Sequence, residues 1–293
     1  MESFEISCSE TEFVDAFRST GFLSPYIEEA VPGYVSQNQT WFDHAELLNR
    51  VGLAAYYRRD HTFVGLTSHD PVALAVRMIF RALSAAQGAI ILYKRGMIAE
   101  GDTLSRNIYE TAFWLGFIRA EPDEAVSAIL ADERKSQLDR ANYYVERLRK
   151  GELDIDRETE ADLHDRIREL KDALGKVKSL SPKEVARRAG MFPMYDAYKH
   201  LSASSAHNSL NSLHRYLLRN EDGSYDGLQV GPDLDGLSEA LPILCVAIGC
   251  AIAHFGTFVP IEEDEEELQA ALIRTDALRF EQKASGGGIA TIV

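Results

Sequence analysis

Arg106 and Glu110 stand four apart in LSRNIYETAFWLGFI, which places a guanidinium and a carboxylate on one face of a helix that also carries Leu104, Ile108, Phe113 and Trp114. A charge pair on so apolar a helix is drawn partly out of water, and such a pair is tolerated only when both partners are satisfied. A second polar group follows in YDAYKHLSASSAHNSL, where Tyr198, Ser202 and Ser205 fall near one helical face and Ser204 and His207 near another, with His200 on the same segment. Two chemistries are open to these residues. As mutually bonded groups, Arg106, Glu110, Tyr198, His200 and Ser202 fix helix register or line a polar pocket for a small anion or a partner. As catalytic groups, His207 moves protons at neutral pH and Arg106 stabilises a pentacoordinate phosphate.

Composition narrows the classes. The 293 residues carry 31 Lys and Arg against 46 Asp and Glu, a formal charge of −15, which repels phosphate backbones at long range and speaks against a general nucleic-acid coat protein. No Gly-x4-Gly-Lys-Ser/Thr phosphate loop, Gly-x-Gly-x-x-Gly turn, His-Glu-x-x-His helix, Cys-x-x-Cys pair or paired Glu-x-x-His helix occurs, so no cofactor and no metal is expected. Glu160 and His164, four apart on a charged helix, read as a solvent-facing pair. The three cysteines, Cys8, Cys245 and Cys250, make no disulfide framework, and MESFEISCSETEF has acids where a signal peptide needs a basic start. The expected compartment is the cytoplasm.

The elements that must position these groups read as helix after helix. Ser9 with Glu12 has capping-box spacing before a short first helix, and a second apolar pattern runs from about Thr40 to Arg59. Asp70 followed by Pro71 is the cleanest start signal, opening a helix that should stop at Gly96. Further helices are expected over about Ile98 to Arg119, Pro122 to Gly151, a charged connector onward to Gly175, and after Pro182. The Ser-, Asn- and His-rich stretch from Met194 is a poor intrinsic helix former and points to a specific environment or a local break. NEDGSYDGLQVGPD carries Asp-Gly turn signals for a small hairpin or loop. Ala240 to Ile261 has no charge and is long enough to span a bilayer, but Pro242, His254 and the acids from Glu262 favour a buried central helix and no membrane contact.

These elements predict an all-α, multi-helix bundle with a protruding charged helical hairpin. Residues 1–69 form an N-terminal helical extension, 70–283 the main bundle and 284–293 a flexible, glycine-rich tail. Residues 134–188 form the hairpin, with fifteen Lys or Arg against twelve Asp or Glu, so any RNA contact is expected there. A homodimer is the expected assembly.

The combined pattern resembles a family of mostly bacterial, all-helical proteins of unknown function. Its marks are Arg-x-x-x-Glu on one helix, here Arg106 and Glu110, and a later Tyr, Leu-Ser and His segment, here Tyr198, Leu201, Ser202 and His207. The likeness spans roughly residues 70 to 260. A looser likeness is to HEPN-type helical domains, some of which are metal-independent ribonucleases with an Arg-x(4 to 6)-His motif. The matching pair in this chain is Arg157 and His164 in the charged connector. A HEPN-like site would therefore need Arg106 and His207 from separate helices.

Overall fold

The computed structural model describes residues 10–27, 32–57, 67–175, 179–206, 209–220, 222–228, 231–233, 236–258 and 265–284. Among these the fold is all-α, twelve α-helices packed into a bundle with one two-stranded sheet. The helices are α1 (Glu10–Thr20), α2 (Pro32–Gln37), α3 (Gln39–Tyr57), α4 (Pro71–Lys94), α5 (Ile98–Ala120) and α6 (Pro122–Arg149). They continue with α7 (Arg157–Leu174), α8 (Pro182–Arg188), α9 (Tyr195–Leu201), α10 (Leu210–His214), α11 (Leu237–Phe255) and α12 (Glu265–Ala284). The expected tail lies, beyond Ala284, outside the described residues.

α4 and α5 form the antiparallel centre, and local chemistry sets their ends. Asp70 Oδ1 accepts from the Val72 and Ala73 backbone amides at 2.8 and 3.4 Å, satisfying donors that a helix start leaves free, and Pro71 occupies the first position, where no amide is needed. Gly96 ends the turn at φ 74°, a left-handed conformation that disfavours any side chain. Gly101 then lets the helices close: a Cβ there would stand 2.2 Å from Cε1 of the fully buried Tyr93.

α11 packs against α3, α4 and α5. It is apolar nearly all round, with Leu241, Leu244, Cys245, Ile248, Ile252 and Phe255 buried. Pro242 removes the amide that would bond to the Ser238 carbonyl, and Gln282 of α12 donates Nε2 to that oxygen at 2.8 Å. α4 and the span Leu237–Phe258 are both long and apolar enough to cross a membrane by length and composition, and here both contribute their buried faces to one core. Trp41, Phe42 and Leu48 of α3 belong to that core as well, so a helix expected within the N-terminal extension is central to the bundle.

The charged hairpin consists of α6 and α7. Its seam is a small separate cluster of Ala141, Val145 and Ile167, flanked by Leu138 and Leu163. Outside the seam the charges pair along the helices, as in Lys150 with Glu146, Arg166 with Glu169 and Arg168 with Asp165.

The stretch from Met194 breaks where its composition favours a break. α9 ends at Leu201, a π-helical turn covers Ser202–Ala206, and α10 begins at Leu210. Ser202 Oγ donates to the Tyr198 carbonyl at 2.8 Å and Ser205 Oγ to the Leu201 carbonyl at 2.6 Å, the local bonding by which serine competes with regular helix. The Asp-Gly-containing stretch from Asn220 supplies β2 (Tyr225–Leu228), which pairs antiparallel with β1 (Leu217–Arg219) immediately before it.

Candidate functional site

Arg106 leaves α5 toward α9 and the π turn, and each of its nitrogens meets a protein acceptor. Nε donates to Ser202 Oγ at 2.8 Å, Nη2 to the Tyr198 hydroxyl at 2.6 Å and Nη1 to Asn107 Oδ1 at 3.4 Å, while Glu110 Oε2 stands 3.5 Å from Nη1. The guanidinium also lies over the Tyr198 ring, 4.7 Å from its centroid. Tyr198 is held edge-on by Phe113 and stacked on Tyr195. Burial first, then the Glu110 carboxylate, holds the Tyr198 phenol above its ordinary range, so it stays a neutral hydroxyl. The chain of donors is consistent: Arg106 Nε–H to Ser202 Oγ, and Ser202 O–H to the Tyr198 carbonyl.

Four of the residues singled out in the sequence, Arg106, Glu110, Tyr198 and Ser202, thus meet. His200 does not join them. It is exposed, with no hydrogen bond to that network, and its charge acts instead on Asp102. His207 lies outside the described residues. Arg157 and His164 sit on exposed positions of α7.

One turn earlier on α5 is a cluster that the sequence reading missed. Asp102 Oδ1 accepts from the Tyr93 hydroxyl at 2.9 Å, and that hydroxyl also meets Ser105 Oγ at 2.9 Å. Arg215, just after α10, brings Nη2 to 3.7 Å from Asp102 Oδ2 and 4.0 Å from Asp233 Oδ2. Burial pushes the Asp102 carboxyl up to about 6, against the pull of Tyr93, Arg215 and His200. The signal available in sequence was Asp102 and Ser105 on the same apolar helix as Arg106.

On its other side Glu110 borders a cleft of about 260 Å³ where α4, α5 and α6 meet. Met78 and Arg81 come from α4, Asn107, Thr111 and Trp114 from α5, and Ile129 and Asp132 from α6. Glu110 is therefore shared: one oxygen faces the Arg106 network, and its side chain, 37% exposed, also lines open space. Among the described residues no group of three or more His, Cys, Asp or Glu is gathered as a metal site requires.

No curated protein and no solved structure matches the chain. A family model does match, over residues 72–225, just over half the chain and the stretch holding α4, α5, α9 and the π turn. Its description is a family of unknown function, DUF5677, and the chain belongs to that family.

Proposed function

We propose that the protein is a binding module whose ligand site is the cleft beside Glu110, and that Arg106, Tyr198 and Ser202 are positioning residues that hold the wall of that cleft. The observation that carries this reading is the engagement of every Arg106 nitrogen by a protein acceptor. A phosphate clamp needs donors aimed at the substrate, and Arg106 would have to give up Ser202 and Tyr198 to act as one. Glu110 differs, because it borders space that a ligand can enter. A cytoplasmic homodimer is the setting that goes with this reading.

The test is a thermal-shift screen of small charged metabolites against the wild type and Trp114→Ala, with RNA cleavage in EDTA measured on the same preparation. Binding reads as compounds that raise the wild-type melting temperature and lose that effect in Trp114→Ala. The reading is overturned if no compound stabilises the protein while RNA is cleaved to 2′,3′-cyclic phosphate ends by the wild type and not by Arg106→Ala or His207→Ala, which is the HEPN-like outcome.

A further inference from the structure

We infer that the cleft between α4, α5 and α6 takes a small zwitterion with an apolar side chain, an α-amino acid or a close analogue, its carboxylate on Arg81 and its ammonium between Glu110 and Asp132. The inference rests on the binding reading above and assigns that reading a ligand class.

Three features lead to it. First, Arg81 and Asp132 line the same cleft, yet neither makes an ion pair or hydrogen bond with any described residue. Opposite charges on different helices, lining one cleft and not paired with each other, are complementary to a molecule carrying both charges a few bonds apart. Glu110 adds a second carboxylate, with Arg106 and Tyr198 both directed to Oε2. Asn107 has its side-chain oxygen taken by Arg106, so its amide nitrogen is the donor it offers to a carboxylate.

Second, the charge balance discriminates between ligands. Glu110 is already met by Arg106, so the unpaired charges are Arg81 and Asp132: a plain anion leaves Asp132 without a partner, and a plain amine leaves Arg81 without one. A zwitterion answers both. The small anion expected from sequence is therefore a poorer match than a molecule that also carries an ammonium.

Third, size and floor fit one small molecule. The cleft's 260 Å³ is room for about nine waters and lies just below the roughly 300 to 1,000 Å³ typical of drug-sized ligand sites, so a single amino acid enters and an oligonucleotide does not. Trp114, Met78 and Ile129 are partly buried and apolar, a floor for an aliphatic or aromatic side chain.

The experiment is isothermal titration of the full-length protein with L-leucine, L-methionine, L-phenylalanine and L-tryptophan, each beside its decarboxylated amine and its deaminated acid. At least one amino acid is expected to bind the wild type about tenfold or more tightly than either of its counterparts. Arg81→Gln should weaken the amino acid to the level of the amine without weakening the amine, and Asp132→Asn should weaken the amine without weakening the acid. Both side chains are exposed, and matching melting temperatures show that the variants fold. No binding by any of the four amino acids overturns the assignment. Equal binding by an amine or an acid, lost in Trp114→Ala, overturns the zwitterion class and leaves the cleft as the binding site.

Discussion

Asp102 and Arg106 sit one turn apart on α5, carry opposite charges, and are treated differently by the fold. Asp102 is buried, with a side chain 9% exposed, and it receives a neutral phenol at 2.9 Å and a guanidinium no nearer than 3.7 Å. Its carboxyl responds by moving toward the protonated form. Arg106 is 19% exposed, yet Tyr198 and Ser202 reach it at 2.6 and 2.8 Å, with Asn107 and Glu110 completing the set. What separates them is the distance at which neighbouring elements deliver partners. The π turn brings Ser202 to hydrogen-bonding range, whereas Arg215 is shared among Asp102, Asp233 and the Ser204 carbonyl and reaches none of them closely.

The largest effect should come from breaking the well-satisfied side. Arg106→Ala removes a ring contact and leaves Ser202, Tyr198 and Glu110 short of a donor, which should lower stability by about 3 kcal/mol in urea unfolding. A loss below about 0.5 kcal/mol, the range of ordinary surface changes, would mean the cluster is incidental.

Asp102 provides the contrasting signature in pH. Its folded carboxyl titrates near 6 against an ordinary value of 3.8. The folded state therefore binds the proton more tightly, and the group's contribution is full below about pH 4 and is lost as pH rises through 6. Relative to Asp102→Asn, the wild type should lose roughly 2 kcal/mol between pH 4 and 7, an order-of-magnitude figure. Burial holds His44 and His254 below their ordinary values, which acts with the opposite sign, but both are common to the two proteins and cancel in the difference. A pH-independent difference would contradict the assignment.

Glu110→Ala sharpens the comparison from the exposed edge. A buried ion pair broken on one side costs about 3 to 5 kcal/mol, but Glu110 is 37% exposed and 3.5 Å from Arg106, so about 1 kcal/mol is expected. A loss near that of Arg106→Ala would show that the pair acts as a buried one. Smallest of all, Arg168→Ala on the charged hairpin should change stability by no more than about 0.5 kcal/mol, since its Asp165 partner and the arginine itself are exposed.

How much of this was legible depended on how local each determinant is. Asp70, Pro71 and Gly96 announce α4 because caps act within one turn, and the serines after Tyr198 announce a break because their hydroxyls bond to nearby carbonyls. The Arg106 cluster was half visible, since Arg106 and Glu110 share a face and Tyr198 and Ser202 share another. Asp102 was not singled out, because its partners Tyr93 and Arg215 come from α4 and from beyond α10. Arg81 and Asp132 were hidden for the same reason: each is an unremarkable charge on its own helix, and only the packing of three helices brings them to one cleft.

The central claim is that Arg106 is held by Tyr198 and Ser202 as a positioning residue, and a double-mutant cycle of Arg106→Ala with Tyr198→Phe measures it directly. The phenylalanine keeps the ring and removes only the hydroxyl that accepts from Nη2. A coupling energy of about 1 to 3 kcal/mol is predicted, whereas losses that add within about 0.5 kcal/mol would contradict the account.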